Sequence, residues 1–139
     1  MPKQVRKILI VEDVAEMLEM LRLIIDSLED SHGDTLGPNK GTYKVQAAVP
    51  SLWGARVELS KALPDLVLLD EVLPGESVID FLKDGTLKGV PVLLMTGMQN
   101  PTHAIPGGTL GRIKKPQGRN MKADQDYLRQ ELDKALKKA

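Results

Sequence analysis

No cysteine occurs in this chain, so a disulfide, a thiolate metal site and a cysteine nucleophile are all excluded. Aromatic residues are nearly as scarce at 3%, so any core has to be built from Leu, Val, Ile and Met. Neither sign of charge is in excess: 19 Lys plus Arg balance 19 Asp plus Glu, which removes bulk electrostatic attraction to nucleic acid. No apolar stretch approaches the length of a membrane span. The run that follows Met1 to Lys7 is also too short for the apolar part of a signal peptide. The expectation is a cytoplasmic chain with neither nucleic acid nor membrane as partner. With 139 residues, 42% of them hydrophobic, one core can be filled, so residues 1–139 are expected to form a single domain.

What is present is an alternation of short apolar runs and amphipathic stretches. Lys7 to Val11 reads as a strand buried on both faces, stopped by Glu12-Asp13. From Val14 to Leu28, Met17, Leu21, Ile24, Ile25 and Leu28 recur at helical spacing. Glu29 to Thr42 is rich in Gly, Pro, Asn and Asp and reads as a long loop. Tyr43 to Val49 is a second strand, Pro50 to Leu63 a helix, and Leu66 to Leu69 the clearest third strand. After the Pro74-Gly75 turn, Ser77 to Lys83 reads as a short helix, and Val90 to Met95 as a fourth strand. Gly97 to Gly111 holds Pro101, Pro106, Gly107 and Gly108, which leave room for a turn of helix at most. Leu110 to Lys114 is a weak fifth strand. Asp124 to Lys138 is a final amphipathic helix that Asp124 can cap. Strands alternating with helices imply a parallel sheet with right-handed crossovers. No internal repeat or low-complexity segment interrupts the pattern.

The strand ends carry the chemistry. Glu12 and Asp13 end one apolar run, Asp70 a second and Thr96 a third, while Lys115 stands before Pro116 after the fourth. Open α/β sheets bind ligands at the carboxyl ends of their strands, where such residues converge. Clustered carboxylates repel, and a hard cation resolves the repulsion. Mg²⁺ takes oxygen ligands, often one or two carboxylates plus a phosphate oxygen. Glu12, Asp13 and Asp70 can supply that set. Phosphoryl transfer needs positioning and charge neutralisation, to which the Lys115 ammonium and the Thr96 hydroxyl can contribute. An Asp carboxylate is an adequate nucleophile for an acyl phosphate, and Asp70 follows the most buried strand.

Each residue also has a plainer reading. Asp13-Val14-Ala15-Glu16 fits a capping box. Glu12 can be a solvated strand end, Asp70 and Thr96 can begin turns, and Lys114-Lys115 can be a surface doublet. Five plain readings would have to hold together, each at a strand end, and their joint placement favours a shared site.

These segments resemble the receiver domain of two-component response regulators. The resemblance runs from about Lys7 to the C-terminus. It rests on Ile8-Leu9-Ile10-Val11-Glu12-Asp13, on Pro64 through Gly75, on the strand end at Pro91 to Gly97, and on Lys115-Pro116. It implies a flavodoxin-like, doubly wound sheet of five parallel strands in the order 2-1-3-4-5. It further implies Asp70 as phosphoacceptor, with Glu12, Asp13 and Asp70 holding Mg²⁺. The main-chain carbonyl of Glu71 or Val72 is a further candidate ligand. Thr96 and Lys115 would contact the phosphoryl group. The implied donor is a histidine kinase or histidine phosphotransfer protein, and the implied listener an output protein the sequence does not name. Any enzymatic activity would be self-catalysed phosphoryl transfer to Asp70 and its reversal by hydrolysis.

Two departures stand out. The family carries an aromatic residue on the fifth strand, where this chain has Arg112, and no Phe, Tyr or Trp occurs between Gly97 and Asp126. The helix between the fourth and fifth strands is expected to be short or missing. A phosphorylation-independent interaction adaptor is therefore the alternative reading. A flavodoxin-like cofactor binder lacks a phosphate-cradling loop after the first strand. A phosphatase using an Asp nucleophile lacks a second acid at Val72. His32 reads as a solvated loop residue, His103 as a surface residue near the site, and Met98 as a shade over the pocket. Trp53 is expected to pack at the start of the second helix.

Overall fold

The computed structural model describes residues 5–30, 42–97 and 104–138. Among the described residues, nine elements follow in chain order. They are β1 (Val5–Val11), α1 (Ala15–Asp30), β2 (Thr42–Val49), α2 (Leu52–Lys61), β3 (Leu66–Asp70), α3 (Val78–Lys83), β4 (Val92–Thr96), β5 (Arg112–Lys114) and α4 (Met121–Lys138). All five strands pair in parallel, in the order β2-β1-β3-β4-β5. This is the flavodoxin-like architecture expected from the sequence. His32, Met98 and His103 lie outside the described residues.

Strand alternation divides the core in two. Ile8, Ile10, Leu66, Leu68, Leu93, Met95 and Ile113 face α1 and α4, where they meet Leu21, Ile24, Ile25, Leu28, Leu128 and Leu132. Leu9, Val11, Val67, Leu69, Val92 and Leu94 face α2 and α3, where they meet Leu52, Ala55, Leu59, Val78 and Phe81. The central strands β1 and β3 are therefore apolar on both sides, which is why they read as unbroken runs. Each fully buried Leu or Ile contributes about 1.5–3 kcal/mol relative to an exposed one.

Local chemistry sets the helix limits. Ser51 caps α2, its Oγ accepting from Gly54 N at 3.0 Å. A Cβ at Gly54 would stand 3.0 Å from Val49 Cβ, so glycine lets α2 start close against the end of β2. Ser77 caps α3 by accepting from Asp80 N at 3.2 Å. The last helix starts at Met121, three residues ahead of the sequence expectation. Asn120 caps it, accepting from Ala123 N at 3.1 Å. Asp124 instead lies inside the first turn and reaches back to accept from Gly118 N at 3.0 Å. Trp53 is a second correction. The residue is 73% exposed, because the buried face of α2 is formed by Leu52, Ala55 and Leu59.

The face of the sheet opposite α1 and α4 is covered by α2 and α3 over β1 and β3. Between β4 and β5, the described residues 104–111 form turns and no helix. Leu110 N donates to Val92 O at 2.8 Å, which leads the chain into the three-residue strand β5.

Candidate functional site

The sheet order brings the expected residues to one edge. Glu12 follows β1 directly, and its N–H donates to Val49 O at 3.1 Å, which continues the β1–β2 ladder. Asp70 is the last residue of β3 and Thr96 the last of β4. Lys115 follows β5, with its N–H donating to Thr96 O at 2.9 Å. Backbone pairing thus fixes the level of each residue before any side chain is considered.

The side chains converge. Carboxylate oxygens of Glu12, Asp13 and Asp70 lie within 4.8 Å of one another. Glu12 and Asp70 are buried, whereas Asp13 faces solvent. Lys115 Nζ donates to Glu12 Oε1 at 2.8 Å, Glu12 Oε2 at 3.1 Å and Asp70 Oδ2 at 3.2 Å. Asp70 Oδ1 accepts from Val72 N at 3.2 Å, so the turn after β3 orients the carboxylate. Thr96 is buried at the same edge.

Electrostatics follow from this crowding. Burial, and then a hydrogen bond shared with Asp70, push the Glu12 carboxyl up to about 7, against the opposing pull of Lys115. Burial acts to lower the Lys115 ammonium, but Glu12 and Asp70 outweigh it and the net shift is upward. The lysine is held charged between two carboxylates, one of which readily takes a proton.

The donor set fits a hard divalent cation. Its three carboxylates supply the oxygen ligands Mg²⁺ prefers, and solvent-facing Asp13 leaves access for the waters that Mg²⁺ retains. Glu12, Asp13 and Asp70 are the residues able to hold it.

One contact beside the site was not anticipated. Arg112, on β5, grips Glu71, the residue directly after Asp70. Arg112 Nε donates to Glu71 Oε2 at 2.9 Å and Oε1 at 3.1 Å, and Nη2 also donates to Oε1. From sequence, Glu71 stands out only as a source of a carbonyl and Arg112 only as a departure. Their opposite charges, one after β3 and one on β5, were the available signal, and the strand order was needed to use it.

No family model matches the chain. Over 120 residues, 82% of the chain, it is 30% identical to protein-glutamate methylesterase/protein-glutamine glutaminase 1 of Cereibacter sphaeroides, covering 29% of that protein. Over 118 residues, 80% of the chain, it is 32% identical to the phosphate regulon transcriptional regulatory protein PhoB of Escherichia coli, covering 45% of it. The chain thus spans less than half the length of these relatives. In structure it is similar to the response regulator domain of Thermotoga maritima CheB, with a TM-score of 0.71 at 22% identity, covering 96% of this chain and 98% of that one. It is also similar to the response regulator protein TrrA of Thermotoga maritima, solved in complex with Mg(2+)-BeF. That match has a TM-score of 0.67 at 19% identity and covers 94% and 98% of the two chains.

Proposed function

We propose that this chain, which shares the fold of response-regulator receiver domains, serves as the phosphoacceptor module of a two-component phosphorelay, with Asp70 as acceptor. The observation that carries this reading is the Lys115 ammonium, half-buried and within hydrogen-bond reach of both Glu12 and Asp70. A carboxylate held in that way is oriented and stands next to a group able to neutralise an incoming phosphoryl oxygen.

In the reaction, an Asp70 carboxylate oxygen forms a bond to phosphorus while the donor's bond to phosphorus breaks. The donor keeps that electron pair and the product is an acyl phosphate. Val72 N holds one Asp70 oxygen and leaves the other to attack. Lys115 then moves its hydrogen bond from the acceptor oxygen to a phosphoryl oxygen, while Glu12 keeps it anchored. The Thr96 hydroxyl donates to another phosphoryl oxygen. A Mg²⁺ ion held by Glu12, Asp13 and Asp70 would supply the remaining charge neutralisation. The donor partner is a histidine kinase or a histidine phosphotransfer protein, and the phosphorylated domain signals by altered docking to an output protein.

Intact-protein mass after incubation with acetyl phosphate and Mg²⁺, quenched in acid, tests the reading. One phosphoryl group that requires Mg²⁺ and disappears in Asp70→Asn is expected. No adduct, together with no structural response to beryllofluoride, would overturn the reading in favour of a phosphorylation-independent adaptor.

A further inference from the structure

The Glu71–Arg112 pair has a geometry that its two strands alone do not require. Residue pairing sets Leu94 of β4 beside Arg112 of β5, and Met95 of β4 beside Asp70 of β3. Strand β4 therefore lies between the partners, and the guanidinium crosses it to reach Glu71. Leu94 belongs to the core on the α2–α3 side, so the pair spans the face that carries no helix among the described residues 104–111. Both side chains are largely buried, at 10% and 14% exposed. The grip involves two guanidinium nitrogens and both carboxylate oxygens, a forked arrangement that fixes direction as well as distance. Glu71 N also donates to Met95 O at 2.9 Å, so main chain and side chain of Glu71 are both tied down.

The pair touches no reacting atom, yet its two ends lie on the segments that carry the site. Glu71 follows Asp70 and precedes Val72, whose N–H orients the Asp70 carboxylate. Arg112 is three residues before Lys115 on the strand that delivers the ammonium. We propose that Arg112 is a positioning residue: by clamping Glu71 from across β4, it fixes the main chain after Asp70 and keeps the acceptor carboxylate in register with Lys115. This rests on the phosphoacceptor reading for its consequence, though the clamp itself does not.

Four proteins test it: wild type, Arg112→Met, Arg112→Lys and the charge exchange Glu71→Arg/Arg112→Glu. Two readouts are used. The first is metal-free hydrogen exchange at the amides of residues 71–73 and 113–115. The second is Mg²⁺ affinity measured by isothermal titration calorimetry. In Arg112→Met, exchange is expected to speed up at those two segments and not across the sheet. Mg²⁺ binding is expected to weaken by roughly ten-fold, the scale found when a group orienting a metal ligand is lost. Arg112→Lys keeps the charge but loses the fork, so it should fall between the two, and the charge exchange should recover part of the loss. A folded Arg112→Met with wild-type exchange and affinity would overturn the proposal. So would faster exchange spread evenly over the whole domain, which marks a contribution to stability alone. If Arg112→Met does not fold, Arg112→Lys carries the same comparison. If wild type itself neither binds Mg²⁺ nor accepts a phosphoryl group, the phosphoacceptor reading fails, while the exchange pattern still decides the clamp.

Discussion

Lys115 meets Glu12 through both carboxylate oxygens, at 2.8 and 3.1 Å, although 103 residues separate them in the chain. The contact exists because β1 and β5 end at the same edge of one sheet. It holds a fully buried carboxylate against the only kind of partner that makes its burial tolerable. Asp70 shares that partner at 3.2 Å, so one ammonium faces two carboxylates.

Glu12 makes metal-free stability depend on pH with an unusual sign. Its carboxyl rises from 4.5 to about 7 on folding, chiefly through burial. Between those values the folded state binds more protons than the unfolded state, so stability falls as pH rises through the window. The loss from this group is at most about 3 kcal/mol. Urea unfolding in a chelating buffer at pH 5 and pH 8 measures it. Glu12→Gln should lose the wild-type excess, which separates this residue from any other group titrating in that range.

Mg²⁺ should reverse that trend. A cation held by the native carboxylates stabilises the fold by mass action, by about 2.7 kcal/mol at a hundred times Kd. A rise in Tm of several degrees across a Mg²⁺ titration is expected, and Asp13→Ala should abolish it. Because Glu12 has to release its proton to become a ligand, the apparent affinity should drop as pH falls below 7. An unchanged Tm in Mg²⁺ at pH 8 would contradict the metal site.

Gly118, in the turn that leads into α4, combines a backbone demand with a steric one. Its φ is +75°, and a Cβ would stand 2.9 Å from Met20 Sδ. Gly118→Ala should destabilise by about 1–2 kcal/mol through the left-handed backbone alone. Thermal or urea unfolding measures this. Adding Met20→Ala relieves the contact and leaves the backbone part, so the double variant should stay less stable than Met20→Ala.

Much of this molecule is legible from one sequence because its central strands are buried on both faces. Ile8 to Val11 and Leu66 to Leu69 announce themselves as apolar runs, and the residues that stop them, Glu12 and Asp70, line the site. Pro106, Gly107 and Gly108 likewise argue against a helix ahead of β5, and residues 104–111 form none. The misses have local causes. Asp124 and Asn120 are both good capping residues, and hydropathy does not choose between them. Residue type alone argues for packing of Trp53, whereas α2 buries the smaller Leu52, Ala55 and Leu59 and leaves Trp53 exposed. Arg112 and Glu71 are 41 residues apart, and their pairing depends on the strand order and on which face each side chain takes. No periodicity carries that information.

The order in which strands supply the site has an electrostatic consequence. Glu12 and Asp70 hang from β1 and β3, which are neighbours, whereas Lys115 arrives only with β5, at the far edge of the sheet. A nascent sheet that has joined β1 to β3 without β5 therefore gathers its carboxylates before their counter-charge. That partial assembly carries a repulsion which Lys115 partly offsets in the finished protein. Docking of β5 is thus more than the addition of a last edge strand: it brings the ammonium that faces both Glu12 and Asp70.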